Sequence, residues 1–141
     1  MKKIINNAQL EKHINGLYEK ARPILEKDSI YEPLGVIFND TKPFNFYTSY
    51  CFVKQDGYHE VFYDTRKAYE TVVKDLDEFT YRILATKISN LVIKYMSQHS
   101  FEEQDRCRVF FEKELEIFGA IGRKFVKRKK EEIKKTGYPL D

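Results

Sequence analysis

Apolar residues recur at Leu10, Ile14, Leu17, Tyr18, Ala21, Ile24 and Leu25, a stripe at steps of three and four that predicts an amphipathic helix, with Asn6 or Asn7 as its cap. Pro23 falls inside the stripe, and because the stripe continues in phase beyond it the expectation is a kink rather than a break. From Ile30 to Tyr69 the pattern changes. Glycine, proline and Asx residues punctuate short runs rich in aromatic and β-branched residues, and the runs Leu34 to Phe38, Phe44 to Ser49, Tyr50 to Lys54 and Tyr58 to Asp64 predict about four antiparallel strands. Asp56-Gly57 separates the last two, as expected of a hairpin turn in which glycine supplies the positive φ.

Three helices are predicted after the strands. Asp75-Leu76-Asp77-Glu78 reads as a variant capping box, followed by the stripe Leu76, Phe79, Ile83, Leu84, Ile88, Leu91, Val92, Tyr95 and Met96. A second helix places Cys107, Phe110, Phe111, Leu115 and Phe118 on one face and is expected to stop in Gly119 to Gly122. The third, from Arg123 to about Lys135, is mostly charged and ends before Gly137 and Pro139. This order predicts an α+β fold: an N-terminal helix, an antiparallel sheet, then three helices packed on one face of it.

Composition narrows the classes of function. A chain of 141 residues fits a single domain spanning 1–141, and with 42% hydrophobic residues, ten Tyr and eleven Phe it has the apolar surface to fold without metal or disulfide. The net charge of +3, from 25 basic and 22 acidic residues, is too small to act on nucleic acid or membrane unless it is clustered. The sequence shows neither an apolar run of the roughly 20 residues a membrane span needs nor an export signal, and Cys51 and Cys107 read as buried reduced thiols, so a cytoplasmic location is expected.

The sequence contains no Gly-x-Ser-x-Gly, Walker or dinucleotide-binding pattern, and His13, His59 and His99 fall on different predicted elements without the spacing of metal ligands. No catalytic residue, metal or cofactor is therefore assigned. Two surfaces remain as candidates. The strand region is dense in rings, and an outward set comprising Tyr47, Tyr50, Tyr58 and Tyr63 with the turn residue Asp56 would form a partner-binding face. The basic run from Arg123 to Lys135 supports a second reading, a nucleic-acid-binding accessory domain, against which stand its interruption by Glu131 and Glu132 and the solubility role of most charge runs.

The run Asp75 to Tyr81, the segment Glu103-Gln104-Asp105-Arg106-Cys107-Arg108-Val109-Phe110-Phe111-Glu112-Lys113-Glu114-Leu115-Glu116, Glu131-Glu132-Ile133 and the closing Pro139-Leu140-Asp141 together resemble the immunity protein 63 family of bacterial polymorphic toxin systems. The resemblance covers the chain from Asp75 to its end and, more loosely, Tyr50 to Val53 and the following turn. Where the family has adjacent arginines after the aspartate, this chain has Arg106 and Arg108 separated by Cys107, and Phe125 stands where the family has a tryptophan. The resemblance implies a cytoplasmic protein that binds a cognate toxin and blocks it by contact, without chemistry. It also implies a fold-bearing role for Asp105, Arg106, Arg108 and Phe111, because a pattern shared among inhibitors of different toxins is explained more easily by the common fold than by the partner.

Overall fold

A computed structural model describes residues 4–41 and 45–140. The elements are α1 (Asn7–Glu19), α2 (Arg22–Lys27), β1 (Ser49–Lys54), β2 (Gly57–Tyr63), β3 (Ala68–Val73), α3 (Leu76–Ser97), a 3-10 turn (Glu103–Asp105), α4 (Arg106–Ile121) and α5 (Arg123–Lys135). The fold is α+β, and its sheet has three antiparallel strands in the order β1-β2-β3 rather than about four. The described parts of residues 1–16 and 32–83 form one compact unit, and those of 17–31 and 84–141 form another. None of the described helices is long and apolar enough to cross a membrane.

In the first unit, α1 is capped reciprocally. Asn6 Oδ1 accepts the Gln9 amide at 2.8 Å while the Asn6 amide donates to Gln9 Oε1 at 2.9 Å, which satisfies two of the amides a helix start leaves orphaned. Asn7 serves the sheet instead, its Oδ1 accepting the Val53 amide at 2.7 Å on the outer edge of β1. Next to it the Cys51 amide donates to the Ile37 carbonyl at 2.8 Å. These two contacts blunt the edge of β1.

The expected strand Leu34 to Phe38 is thus a single parallel bridge, Ile37 to Tyr50, because Gly35 at φ +74 turns the chain out of the extended region. Of the expected strand Phe44 to Ser49, Phe44 lies outside the described residues and only Ser49 belongs to a strand. β3 was not anticipated.

The β1–β2 turn consists of Gln55 and Asp56, with Lys54 paired to Gly57. Gly57 sits at φ +139, and a Cβ there would stand 2.7 Å from the Val73 carbonyl oxygen, so both conformation and space require glycine. Both faces of the β1–β2 pair are covered. Tyr50, Phe52 and Val61 are buried on one face, and Cys51 and Tyr58 on the other, where Tyr58 stacks on Phe79 of α3 at 5.6 Å. Asp75 starts α3 by accepting the Glu78 amide at 2.9 Å.

In the second unit the expected kink at Pro23 is a break. Lys20 and Ala21 close tight turns on Leu17 and Tyr18, and α2 begins at Arg22, so proline occupies the first helical turn, where no amide proton is needed. α2 ends in a Schellman motif, with Ser29 at φ +59, its amide bonded to Glu26 and that of Ile30 bonded to Leu25. Gly119 lies inside α4, and Gly122 alone separates it from α5.

The two helices pair as an antiparallel hairpin. Phe118 stacks on Phe125 at 6.5 Å, and Glu114 meets Lys129 at 3.0 Å, pairs placed symmetrically about Gly122. Lys113 of α4 joins three elements: its Nζ lies 2.8 Å from Asp28 at the end of α2, 3.0 Å from Glu116, and 4.6 Å from the ring centre of Tyr95 on α3.

Candidate functional site

The residues expected to form an aromatic partner face are dispersed by the fold. Tyr50 and Tyr58 are core residues, 3% and 2% exposed, and their hydroxyls are used internally, accepting the amides of Asn45 at 2.8 Å and Ile5 at 3.3 Å. Neither ring faces outward. Tyr47 and Tyr63 come together at one end of the sheet, and Asp56 lies at the other end, in the β1–β2 turn.

At the first end, Tyr47 is 66% exposed and sits at φ +60, a region that non-glycine residues seldom occupy. Its amide donates to the Tyr63 carbonyl at 2.6 Å, and its ring meets Phe62 edge-on at 6.3 Å. The strained backbone is held in place by those contacts, which present the ring to solvent in a fixed direction. Exposed Phe46 precedes it.

The β2–β3 turn is built by Asp64, whose Oδ1 accepts the amides of Arg66 at 2.7 Å and Lys67 at 2.9 Å, bonds that hold its carboxyl below the usual carboxylate range. Lys67 then lies 4.7 Å over the ring of Tyr69, which is 48% exposed. Tyr47 and Phe46, on the turn before β1, and Tyr69, at the start of β3, therefore form an exposed aromatic group on a backbone that is already ordered. β3 continues from this group as an edge strand, with Val72 exposed and no strand on its outer side among the described residues.

At the other end stands an arrangement that the sequence did not announce. His59, 7% exposed, stacks on Phe52 at 5.1 Å, and Lys54 lies 5.6 Å over the same Phe52 ring. Its Nε2 is 2.6 Å from Asp56 and its Nδ1 2.7 Å from Glu70 of β3. Burial alone would lower the pKa of the ring, but the hydrogen bonds to Asp56 and Glu70 outweigh it and hold the pKa above its ordinary value; the same bond lowers that of Asp56. With a carboxylate on each ring nitrogen, the imidazolium donates twice. The two carboxylates approach opposite sides of the ring and do not converge on a common point, and no group of three or more His, Cys, Asp or Glu among the described residues is disposed to hold a metal. Only the spacing of Asp56 and His59 hinted at this cluster, since Glu70 lies on a strand that had no sequence signal.

The motif residues on α4 are also placed. Asp105 precedes the helix without a side-chain cap bond, and Arg108 pairs along its own helix, 3.5 Å from Asp105 and 3.3 Å from Glu112. Phe111 packs edge-on against Tyr138 at 5.1 Å, which ties α4 to the C-terminal segment. Arg106 is exposed beside an apolar groove of about 480 Å³ lined by Ile93, Met96, Phe110 and Phe111. Cys107 also lines it. The expected buried thiol is in fact exposed, because it lies in the first turn of α4, well before the helix's first buried residue, Glu114. Cys51 is buried, and burial, followed by the nearby Glu60 carboxylate, pushes its thiol pKa far up.

The family model for immunity protein 63 matches residues 55–135. The chain belongs to the immunity protein 63 family. The match starts at the β1–β2 turn, so it takes in His59, β3 and Tyr69 as well as the helices, and it leaves out Tyr47 and the closing Pro139-Leu140-Asp141. Neither curated proteins nor solved structures provide a match. Within the immunity protein 63 region, Tyr69, Lys67 and the two carboxylates bound to His59 are among the described groups that reach solvent in a fixed geometry.

Proposed function

We propose that this member of the immunity protein 63 family binds a cognate bacterial toxin domain and neutralises it by direct contact, without catalysis, in the cytoplasm of the cell that makes the toxin. Residues 1–141 act as one immunity-protein domain in this reading. Family membership over 55–135 carries the proposal.

The exposed aromatic end of the sheet supports it. Tyr47, Tyr69 and Phe46, with the Tyr63 carbonyl holding the backbone of Tyr47, are aromatic anchors of the kind that dominate binding energy when a partner covers them. A stable complex needs about 800 Å² from each side, which these rings reach only together with the β3 edge and polar residues at the far end of the sheet such as Asp56. Tyr50 and Tyr58 contribute to the fold beneath that surface. Asp105, Arg106, Arg108 and Phe111 serve the α4 helix and its anchoring of Tyr138.

Co-expression with the toxin-domain protein encoded beside its gene tests the reading. The wild type should protect cells and co-purify with that protein, and Tyr47→Ala with Tyr69→Ala should weaken the complex by roughly two orders of magnitude, as paired hot-spot losses do. Absence of both protection and binding by the wild type refutes it.

A further inference from the structure

We propose that the outer face of α5 is a docking groove for an acidic protein segment, and that on the immunity reading above this segment belongs to the toxin. Of the eight basic residues of α5, Lys135 stands in the last turn and the other seven divide into two sets. Lys129 lies 3.0 Å from Glu114 and 3.4 Å from Glu132, Arg128 lies 3.4 Å from Glu132, and Lys124 lies 5.4 Å over the ring of Phe125. Those three stabilise the fold.

Arg123, Lys127, Lys130 and Lys134 have no carboxylate partner among the described residues. Their spacing of four, three and four residues places them on one helix face, in a row about 16 Å long at the usual helical rise. Successive like charges at these steps destabilise a helix. The helix dipole favours Lys134, in the last turn, but does not explain the whole row, since Arg123 stands in the first turn, where positive charge is disfavoured and this helix has no acidic residue.

The row borders a shallow groove of about 500 Å³ floored by Gly119 and Val126. Gly119 lies inside α4, where glycine costs about 1 kcal/mol relative to alanine. A Cβ there would meet nothing within 4 Å, so no contact within the chain requires the bare backbone. A cationic row beside an open, partly apolar floor fits a segment carrying carboxylates at helical spacing together with an apolar residue.

A nucleic acid fits less well. The one aromatic residue of α5, Phe125, is 3% exposed and cannot stack on a base, while Glu131 also lines the groove and would repel a phosphate backbone. On a protein partner the same carboxylate can receive a lysine or arginine.

The test uses the full chain with two probes: a synthetic helical peptide carrying Glu at the matching four-, three- and four-residue steps and Leu between them, and a 20-nucleotide single-stranded RNA. Anisotropy titration at low salt and amide chemical-shift mapping should show peptide binding centred on Gly119, Val126 and the four cations. The variant Lys127→Gln/Lys130→Gln/Lys134→Gln, confirmed folded by its thermal transition, should bind the peptide at least tenfold more weakly. Absence of peptide binding, shifts centred elsewhere, equal binding by the variant, or tighter binding of the RNA each overturns the proposal. Co-expression with the neighbouring toxin-domain protein separates the two readings. A variant that protects as well as the wild type, with unchanged affinity, sinks the docking groove alone, whereas a wild type that gives no protection sinks the immunity reading.

Discussion

The contact between Glu114 and Lys129 gives the sharpest prediction about how the α4–α5 hairpin is held. The Glu114 side chain is 1% exposed and that of Lys129 12%, and their 3.0 Å contact is a charge–charge approach in which neither carboxylate oxygen receives a well-directed hydrogen bond. Burial pushes the Glu114 pKa up, and Lys129 counters only part of that effect. Lys129→Met retains the aliphatic stem and removes the charge, leaving a carboxylate inside the hairpin without its cation. Breaking one side of such a pair costs about 3 to 5 kcal/mol, and the lower end is expected because Lys129 retains some access to solvent. Replacing both members, as Glu114→Leu/Lys129→Met, should return the protein to within about 1 kcal/mol of wild type, since an apolar pair of similar volume needs no solvation.

The pH dependence follows from the sign of the shift. A carboxyl whose folded pKa lies above its unfolded value binds more protons when folded, so stability falls as pH rises from the unfolded value through the folded one. The penalty in Lys129→Met should therefore be larger at pH 7 than at pH 5. Urea unfolding of the wild type and both variants at the two pH values measures this. A loss under 1 kcal/mol at pH 7, or an equal loss at both, refutes the argument.

Gly57→Ala should destabilise the protein by about 2 to 3 kcal/mol in the same assay, combining the cost of a positive φ with the approach to the Val73 carbonyl, and a change below 0.5 kcal/mol (about the spread of neutral surface substitutions) contradicts the turn geometry. His59→Gln tests the double hydrogen bond. Because the folded pKa of His59 is raised, its contribution is fully present below about pH 6.5 and is lost as pH rises through the folded value. Wild-type stability should thus decline by on the order of 1 kcal/mol across that interval, as suits an ion pair with exposed partners, and the decline should vanish in the variant. A parallel pH profile in the two proteins rules it out.

How far the fold was legible depends on where each segment lies relative to a core. α3 carries a long stripe because much of one face is buried: Phe79, Ile83, Leu84, Ile88, Leu91, Val92 and Met96 are buried on it, and only Thr80 and Tyr81 are buried off it. β3 is a strand with little burial. Its residues Ala68, Tyr69 and Glu70 are all exposed at the sheet edge, so no hydrophobic alternation marks it, and only its aromatic and β-branched content could have done so. The error over Leu34 to Phe38 is the converse: Leu34 and Phe38 are buried, but as anchors of a loop. The break at Pro23 keeps the helical phase, as a kink would, and hydrophobic periodicity cannot distinguish the two. Glu114 was invisible in the same way, because its partner is fixed by the pairing of two helices about Gly122 and not by spacing along one of them.

The candidate surface was half legible for a reason rooted in the sheet itself. An aromatic strand presents rings to both faces alternately, and choosing the outward set assumes that one face is bare. Here neither face of β1–β2 is bare: Tyr58 lies under Phe79, and on the opposite face the Tyr50 hydroxyl accepts the Asn45 amide. Covering both faces leaves the strand ends and the β3 edge as the places where rings reach solvent, and there the governing residues are turn formers. Asp64 fixes the turn that leads to Tyr69, and the Tyr63 carbonyl fixes the strained backbone of Tyr47. Their conformation is already set in the free protein, so a partner that binds those rings pays less ordering entropy than it would on a mobile loop. Asp64→Ala, which frees the turn and removes the hydrogen bond between its carboxylate and Tyr69, should therefore weaken partner binding while leaving every ring of the aromatic surface in place. Unchanged affinity in that variant, measured by titration against the protein partner, would show that contact chemistry alone, and not the prepared geometry of the turn, determines binding.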